Sequence, residues 1–320
     1  MDKETVVIDI GARYGLHPSW SKLINSNFRF ILFEPDSKES SRLIKKYNKK
    51  KSITVENLAL GDEINNNKNL FLTEHSALSS IFFKKKNNPL LKKKSSKKII
   101  KKIPKKKTAL NKYCAKKKII PHFLKLDSEG TELIILKNSD QILSKILGIR
   151  SEVSFDKIFK NNDEGDFCDL HKYLIENDFV LLNLDYEGKG FYYNKFISQD
   201  QKYGILQTTD AVWIKDPSKV NKYYKDSFSI MRISVFCFLN NAPDLAIFFL
   251  KTTSKKHNFF RKYKSTNIYN FLLKELARHL YSIRWSPGQN YIDHNKLFNK
   301  VFNLKLPKNN EKYDSLFYNP

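Results

Sequence analysis

The 320-residue chain has few cysteines and no long uninterrupted apolar run. Its three cysteines, Cys114, Cys168 and Cys237, are far apart and odd in number, which excludes a disulfide framework and the paired spacing of a zinc site. The most apolar stretch, residues 230–250, contains charged residues, asparagines and a proline. It therefore predicts two short buried helices rather than a transmembrane segment. The N-terminus enters a strand pattern without a signal peptide, and these features together predict a cytoplasmic protein.

Acidic residues are outnumbered, and arginine is scarce among the basic residues. The chain has 33 Asp and Glu against 58 Lys and Arg, a formal net charge of +25, and only eight of the basic residues are arginine. Proteins that bind phosphate usually recruit arginine, because its planar guanidinium contacts two oxygens at once. The charge is also local, since residues 84–118 hold 17 lysines and no Asp or Glu. This distribution excludes a uniformly basic chain and indicates a local basic insert.

The rest of the sequence is typical of a globular protein. Hydrophobic residues make up 41% of the chain, which is enough to bury a core and excludes whole-chain disorder. Short apolar runs alternate with helical patterns up to residue 217, which predicts βαβ units and a mostly parallel sheet. The remaining residues are rich in aromatics and helix-like. The predicted organisation is a domain of residues 1–217, interrupted by the lysine-rich insert 84–118, and a small helical C-terminal module of residues 218–320.

The sequence pattern also predicts where the individual elements lie. The predicted strands are residues 5–10, 28–33, 52–60, 69–73, 123–127, 148–153, 179–184 and 206–214. The predicted helices of this domain are residues 20–26, 37–48, 129–145 and 167–177. Ligands of such sheets bind beyond the carboxyl ends of the parallel strands, so functional residues are expected there.

The first strand runs into a glycine turn with the sequence VIDIGARYG at residues 7–15. Glycine allows a positive φ and close approach of the backbone to a ligand. The turn departs from G-x-G-x-x-G because Arg13 stands at the second glycine position, so a dinucleotide pyrophosphate is not predicted. Asp9 can either bind an ammonium group or order the turn.

The next two strands also end in polar residues. Glu34 lies 19 positions after Gly15, about where a doubly wound fold places an acidic residue that hydrogen-bonds ribose hydroxyls. An alternative is that Glu34 is simply the first polar residue after a strand, with Asp36 as the helix N-cap. Asn57 lies near the end of the predicted third strand, where its amide can hydrogen-bond an adenine edge or can belong to a strand end followed by an ordinary turn.

Three carboxylates cluster after the fourth main strand, in the segment DSEGTE at residues 127–132. Asp127 stands at the strand end, Glu129 in the turn and Glu132 in the first helical turn. Clustered carboxylates repel one another, so their presence favours a functional site. For Glu132 the simpler interpretation is stabilisation of the helix dipole.

Five segments in this order resemble the FkbM family of S-adenosylmethionine-dependent methyltransferases. They are VIDIGARYG (7–15), LFEPD (32–36), NLALGD (57–62), LDSEGTEL (126–133) and IRSEV (149–153). The likeness covers roughly residues 5–215, with D-x-E-G-x-E as its most distinctive mark. Arg13 departs from the asparagine that is frequent in the family. The resemblance implies an α/β fold, a doubly wound seven-stranded class I methyltransferase sheet with a reversed last strand. It also implies methyl transfer to a hydroxyl of a glycan, a sugar or a related small molecule.

The resemblance also implies roles by position. The residues expected to hold S-adenosylmethionine are Asp9, Gly11, Ala12, Gly15, Glu34, Pro35, Asn57 and Ala59. A hydroxyl acceptor must lose its proton as it attacks, so a carboxylate or histidine is needed within hydrogen-bond reach. The catalytic candidates are Asp127, Glu129 and His75. No metal ligand is predicted, although a carboxylate pair can instead bind a divalent cation.

Three functions stay open from the sequence. The first is the glycan or small-molecule O-methyltransferase. The second is an RNA-directed methyltransferase or a nucleic-acid-binding protein on the same fold, which would use the lysine-rich insert. The third is a non-enzymatic member that binds a partner. The insert is expected to be a loop, either a lid over the acceptor or a patch for an anionic glycan, a membrane surface or nucleic acid.

Overall fold

A computed structural model describes residues 4–24, 26–62, 69–73, 99–104, 107–155, 165–190, 204–257 and 267–282. The chain divides into two compact units. The larger comprises residues 4–24 and 28–223, and the smaller is formed mainly by the chain from Tyr224 onward. The predicted domain boundary after residue 217 stays a prediction.

The larger unit is built on a seven-stranded sheet. Its strands are β1 (Thr5–Ile10), β2 (Phe28–Phe33), β3 (Ile53–Glu56), β8 (Phe123–Leu126), β9 (Gly148–Ser154), β10 (Phe179–Gly190) and β11 (Ile205–Lys215). They are ordered β10-β11-β9-β8-β1-β2-β3. β1 is parallel to β2 and β8, and β11 is antiparallel to β9 and β10. The predicted sheet and its reversed last strand are confirmed.

Four short strands form two small pairs outside this sheet. Strands β4 (Ala59–Leu60) and β7 (Lys107–Thr108) are parallel, and β5 (Asn69–Thr73) and β6 (Ile99–Pro104) are antiparallel. The helices of the larger unit are α1 (Ser37–Tyr47), α2 (Leu110–Lys117), α3 (Glu132–Lys137), α4 (Asp140–Leu143), α5 (Phe167–Glu176) and α6 (Val220–Tyr223). A 3-10 helix, Pro18–Leu23, follows β1 where a short α-helix is predicted, and another spans Pro217–Lys219.

Two predicted elements are interrupted. The third strand, predicted over residues 52–60, breaks after Glu56, and Ala59–Leu60 leaves the main sheet to pair with β7. The helix predicted over residues 129–145 is two short helices, because the chain turns between Lys137 and Asp140. Short apolar runs do not reveal such breaks, since their spacing fits both arrangements.

The prediction that the lysine-rich insert is a loop is wrong for its C-terminal part. Residues 107–118 contain β7 and α2, and α2 buries Leu110, Tyr113 and Cys114. Their spacing of three and four residues places them on one face of a helix, and the surrounding lysines obscured that pattern. Strand β6 also lies within the insert and pairs with β5. Residues 84–98, 105 and 106 lie outside the described residues.

The two faces of the main sheet differ because successive side chains of a strand point to opposite sides. On one face Ile8, Leu124 and Ile149 belong to a hydrophobic core that includes residues of α2, α3 and α5. On the other face Trp20 packs against Phe30 and Phe123, with ring centroids 6.4 and 5.8 Å away. The polar residues of the candidate site share this second face.

The smaller unit contains α7 (Ser227–Leu239), α8 (Pro243–His257) and α9 (Asn267–Ser282). The predicted pair of helices that meet near residues 241–243 is confirmed by α7 and α8. Asp226 caps α7 by accepting from the N–H groups of Phe228 and Ser229. Within the described part of the chain, no helix has both the length and the apolarity needed to cross a membrane.

Candidate active site

The turn after β1 brings three strand ends together. Gly11 has φ +81°, and a Cβ at this position would lie 1.8 Å from the main-chain oxygen of Asp127 at the end of β8. The N–H groups of Gly11 and Ala12 both donate to the carbonyl of Phe33 at the end of β2, at 3.0 and 3.1 Å. Ala12 is buried. Only glycine permits this packing of β1 against β8.

Gly15 closes the same turn against α1. Its φ is +107°, and a Cβ would lie 2.4 Å from the hydroxyl oxygen of Tyr47. That hydroxyl accepts a 3.0 Å hydrogen bond from the N–H of Leu16. The backbone geometry of the turn therefore requires glycine at both Gly11 and Gly15, the two glycines predicted to hold the cofactor.

Asp9 is the buried carboxylate of the turn. Its side chain is 1% exposed, and Oδ2 accepts the N–H of His17 at 3.1 Å. Within the described residues Oδ1 receives no hydrogen bond, and the Nζ of Lys125 lies 3.7 Å from it. Burial raises the pKa of Asp9 to about 6, against the opposing effect of the Lys125 ammonium. The residue therefore has an oxygen atom available for a cationic group.

Lys125, which is not among the residues predicted for the site, lies beside Asp9. It lies on β8 in register with Asp9 of β1 and Arg150 of β9, and its side chain is 8% exposed. Its Nζ donates to Oδ2 of Asp127 at 2.8 Å. Burial disfavours the ammonium, but the charges of Asp9 and Asp127 outweigh it and raise the pKa of Lys125. The available signal was a lysine inside an otherwise apolar strand, because the central strands of parallel sheets are buried on both faces.

Glu34 lies at the end of β2 and is 2% exposed. Its Oε1 accepts the N–H of Asp36 at 2.8 Å, which fixes the start of α1. Burial raises the pKa of Glu34 to about 7. Arg13, which departs from the asparagine frequent in the family, forms an ion pair with Asp36 at 3.2 Å. That pair ties the glycine turn to α1.

Asn57 does not present a free amide to a ligand. Its Nδ2 donates to the carbonyls of Glu34 and Pro35 at 2.9 and 3.1 Å, and its Oδ1 accepts from Ser37. Both amide protons of Asn57 fix the loop after β2, and the predicted contact of Asn57 with adenine stays a prediction. Pro35 is half-buried in that loop, and Ala59 is buried at the start of β4.

The turn after β8 carries Asp127 and Glu129. The carboxylate of Glu132 holds this turn by accepting from the N–H of Ser128 at 2.6 Å and the N–H of Gly130 at 2.9 Å. Glu129 has φ +56°, a left-handed conformation that non-glycine residues rarely adopt. The side chain of Asp127 is 42% exposed. Glu132 thus supports the turn, while Asp127 remains accessible.

Glu152 of β9 joins these carboxylates. One carboxylate oxygen from each of Asp127, Glu129 and Glu152 lies within 4.8 Å of the others. Burial and then the charges of the other two raise the pKa of Glu152. Such an arrangement can hold a divalent cation, although no metal ligand was predicted. Glu152 belongs to the IRSEV segment of the family resemblance, which implied no role for it.

A second buried cation and a histidine complete this face of the sheet. Arg150 forms ion pairs with Asp185 and with Asp210, the latter at 2.9 Å. The ring Nδ1 of His17 lies 2.7 Å from the hydroxyl oxygen of Ser19. Burial and the charge of Arg150 lower the pKa of His17 to about 4, so its ring is neutral near pH 7. His75, the histidine among the predicted catalytic candidates, lies outside the described residues.

The fold and this set of residues define a class of protein. A glycine turn after β1, an acidic residue after β2 and carboxylates after β8 meet at the carboxyl edge of a doubly wound sheet, the arrangement of a class I methyltransferase. The methyltransferase FkbM domain family matches residues 9–188. This match spans more than half of the chain, which therefore belongs to that family and has S-adenosylmethionine as its cofactor.

Solved structures with some similarity are also methyltransferases. A precorrin-6y C5,15-methyltransferase from Geobacter metallireducens GS-15 is 12% identical, with 68% of this chain and 82% of that chain covered and a TM-score of 0.33. An rRNA methylase from Streptococcus thermophilus is 11% identical, with 68% and 90% covered and a TM-score of 0.31. A putative sarcosine dimethylglycine methyltransferase from Galdieria sulphuraria is 11% identical, with 67% and 79% covered and a TM-score of 0.34. No curated protein matches the chain significantly. The assignment rests on the family match and on the site.

Proposed function

We propose that this protein is an S-adenosylmethionine-dependent O-methyltransferase that acts on a hydroxyl group of a glycan, a sugar or a related small molecule. One observation carries the proposal. At the carboxyl ends of β1 and β8, Lys125 forms ion pairs with both the buried Asp9 and the accessible Asp127. S-adenosylmethionine supplies an electrophilic methyl group when bound. The chain itself must orient the acceptor oxygen and remove its proton, and positioning alone can contribute several kcal/mol to lowering the barrier.

The residues present fit the cofactor. Asp9 Oδ1 is buried without a hydrogen bond from any described residue, which supports its binding the ammonium group of the methionine part. Glu34 is a nearly buried carboxyl at the end of the adjacent strand, which supports a hydrogen bond to the ribose. Ala12, Gly15, Pro35 and Ala59 belong to the same turns and are proposed to line the cofactor.

Asp127 is the proposed proton acceptor. Its side chain is accessible, whereas the carboxylate of Glu132 is occupied by the backbone of the turn. Lys125 fixes one oxygen of Asp127 at 2.8 Å and leaves the other oxygen for an acceptor hydroxyl. Glu129, the neighbouring carboxylate, is the second candidate. General-base catalysis of this kind typically contributes about 10²–10⁴-fold to the rate.

The charge around Asp127 supports an uncharged acceptor. Asp127, Glu129 and Glu152 place three carboxylates within a few ångströms of one another. A phosphate group brought to this position would be repelled, whereas a sugar hydroxyl would not. A partner of the lysine-rich insert, whether an anionic glycan, a membrane surface or nucleic acid, remains a proposal separate from the acceptor.

The experiment uses methyl-labelled S-adenosylmethionine with glycan and lipid-linked sugar extracts as acceptors. We expect Asp127→Asn to reduce turnover by about 10²-fold or more while leaving the affinity for S-adenosylhomocysteine near pH 7 within about threefold of wild type. Glu176→Gln, the same type of change at an exposed position of α5, is the control and should behave as wild type. Unchanged turnover of Asp127→Asn with a true acceptor would refute the role of Asp127.

The same assay tests the RNA hypothesis when total RNA replaces the glycan extract. Label that enters RNA, with binding that weakens steeply as salt rises, would replace the proposed acceptor class while keeping methyl transfer. No binding of cofactor by the wild-type chain would instead favour a non-enzymatic role.

A further inference from the structure

Lys125 lies between two carboxylates that belong to different halves of the proposed site. Its Nζ is 2.8 Å from Asp127 Oδ2, on the acceptor side, and 3.7 Å from Asp9 Oδ1, on the cofactor side. The parallel register of β1 and β8 sets Lys125 directly beside Asp9, and Asp127 follows two residues later on the same face. Among the described residues, Lys125 is the one cation within ion-pair distance of Asp9.

The other charged and titratable groups near this pair come from several elements. They are His17 from the turn after β1, Glu129 and Glu132 from the turn after β8, Arg150 and Glu152 from β9, and Asp210 from β11. Arg150 is engaged by Asp185 and Asp210, and the ring of His17 is neutral above about pH 4. Burial is the main effect that disfavours the charged form of Asp9, and Lys125 is the main group that opposes it.

We propose that Lys125 is a positioning residue that couples the two halves of the site, because its ammonium keeps Asp9 charged for the cofactor while it holds Asp127 for the acceptor. This inference rests on the proposed function. It adds a residue to which the sequence assigned no role, and it predicts that a change on the acceptor side alters cofactor binding.

The sign of the coupling follows from the charges. Burial raises the pKa of Asp9 to about 6, and the ammonium of Lys125 is the largest effect that opposes this rise. Removal of the ammonium must raise the pKa of Asp9 further, so that Asp9 becomes neutral near pH 7. Removal of the Asp127 charge acts in the opposite direction, because a like charge disappears while the ammonium of Lys125 stays beside Asp9.

The test measures S-adenosylhomocysteine binding by calorimetry from about pH 5 to 8.5, and it needs no acceptor. Wild-type affinity should fall as the pH drops through about 6. Lys125→Met should move this midpoint up by about one unit or more, so that affinity at pH 7 falls on the order of tenfold and recovers towards pH 8.5. Asp127→Asn should move the midpoint down, and Lys125→Arg should stay near wild type.

Two controls keep the result specific. Lys172→Met, the same substitution at an exposed position of α5, should leave the midpoint unchanged. Glu34 also titrates near pH 7, but burial and the neighbouring Asp36 and Arg13 set its pKa, so its contribution is common to all variants. If Lys125→Met does not fold, the opposite behaviour of Asp127→Asn and the retention of affinity in Lys125→Arg still test the coupling.

The outcomes separate the inference from the proposed function. An equal loss of affinity at every pH in Lys125→Met, or midpoints that move in the same direction in Lys125→Met and Asp127→Asn, would overturn the coupling. Absence of binding by the wild-type chain at every pH would overturn the cofactor site itself. Opposite shifts of the two midpoints support both.

Discussion

Gly11→Ala is the sharpest test of how the site is built. The added Cβ would lie 1.8 Å from the carbonyl oxygen of Asp127 and 2.7 Å from its carbonyl carbon, and both atoms belong to the main chain. Because neither atom can swing aside, the ends of β1 and β8 would have to separate by about 1 Å or more to reach ordinary van der Waals distance. The same movement would shift Asp127 relative to Asp9.

The magnitude follows from two contributions. A non-glycine residue at a φ of +81° costs about 1–2 kcal/mol. Overpacking of a well-packed region adds about 1–3 kcal/mol. We therefore expect Gly11→Ala to lower the free energy of unfolding by about 2–5 kcal/mol, a large part of the roughly 5–15 kcal/mol of a typical domain. The affinity for S-adenosylhomocysteine should fall with it.

The assay is urea denaturation followed by tryptophan fluorescence, together with calorimetry of S-adenosylhomocysteine binding. Gly61→Ala is a partial control, because its φ of +159° is also unfavourable for alanine, whereas its Cβ would meet only Cδ of the Lys107 side chain, at 3.2 Å, and not the main chain. Gly15→Ala should be intermediate, since its clash is with the movable hydroxyl of Tyr47. If Gly11→Ala unfolds within about 0.5 kcal/mol of wild type and binds with unchanged affinity, the proposed close packing of β1 and β8 is refuted.

Two further predictions concern buried carboxyls. Glu132→Ala removes the acceptor of the N–H groups of Ser128 and Gly130, and it should lower the free energy of unfolding by about 2–4 kcal/mol in urea, with a smaller loss in Glu132→Gln. An unchanged unfolding midpoint for Glu132→Ala would contradict its role in the turn. The pKa of Glu34, about 7 in the folded chain against an ordinary 4.5, means that folding favours the protonated form. The Glu34 carboxyl therefore makes its full contribution to the free energy of unfolding below about pH 4.5. This contribution, on the order of 3 kcal/mol, is lost as the pH rises through 7. Glu34→Gln should flatten the decline of cofactor-free stability between pH 5 and 8, and equal slopes in the two proteins would argue against burial of this carboxyl.

The strands and the site motifs could be predicted because they are local in sequence. β1, β2 and β8 are apolar runs that end in Asp9, Glu34 and Asp127, and a strand followed by an acidic turn is visible without knowledge of the fold. The reversed β11 came from the resemblance rather than from any pattern in its own residues. No local signal states the direction in which a strand pairs.

Contacts between elements could not be predicted from the sequence. Asn57 follows a strand, and no local pattern indicates that the neighbouring loop takes both of its amide protons. Residues 107–118 looked like a loop because the count of lysines hid the apolar side of α2. In each case the partner lies far away in the sequence or on a neighbouring element, where composition gives no information.

The fold class, the family and the residues at the strand ends could be predicted from the sequence, because strand periodicity, glycine turns and acidic strand ends are properties of short segments. Which of those residues interact with one another depends on how the strands pair in the folded chain. Lys125 reads as an ordinary lysine until the register of β1 and β8 places it beside Asp9 and Asp127. Glu152 likewise joins Asp127 and Glu129 only because β9 lies next to β8. Strand pairing sets these distances, and distance and burial determine the strength of every charge interaction in the site.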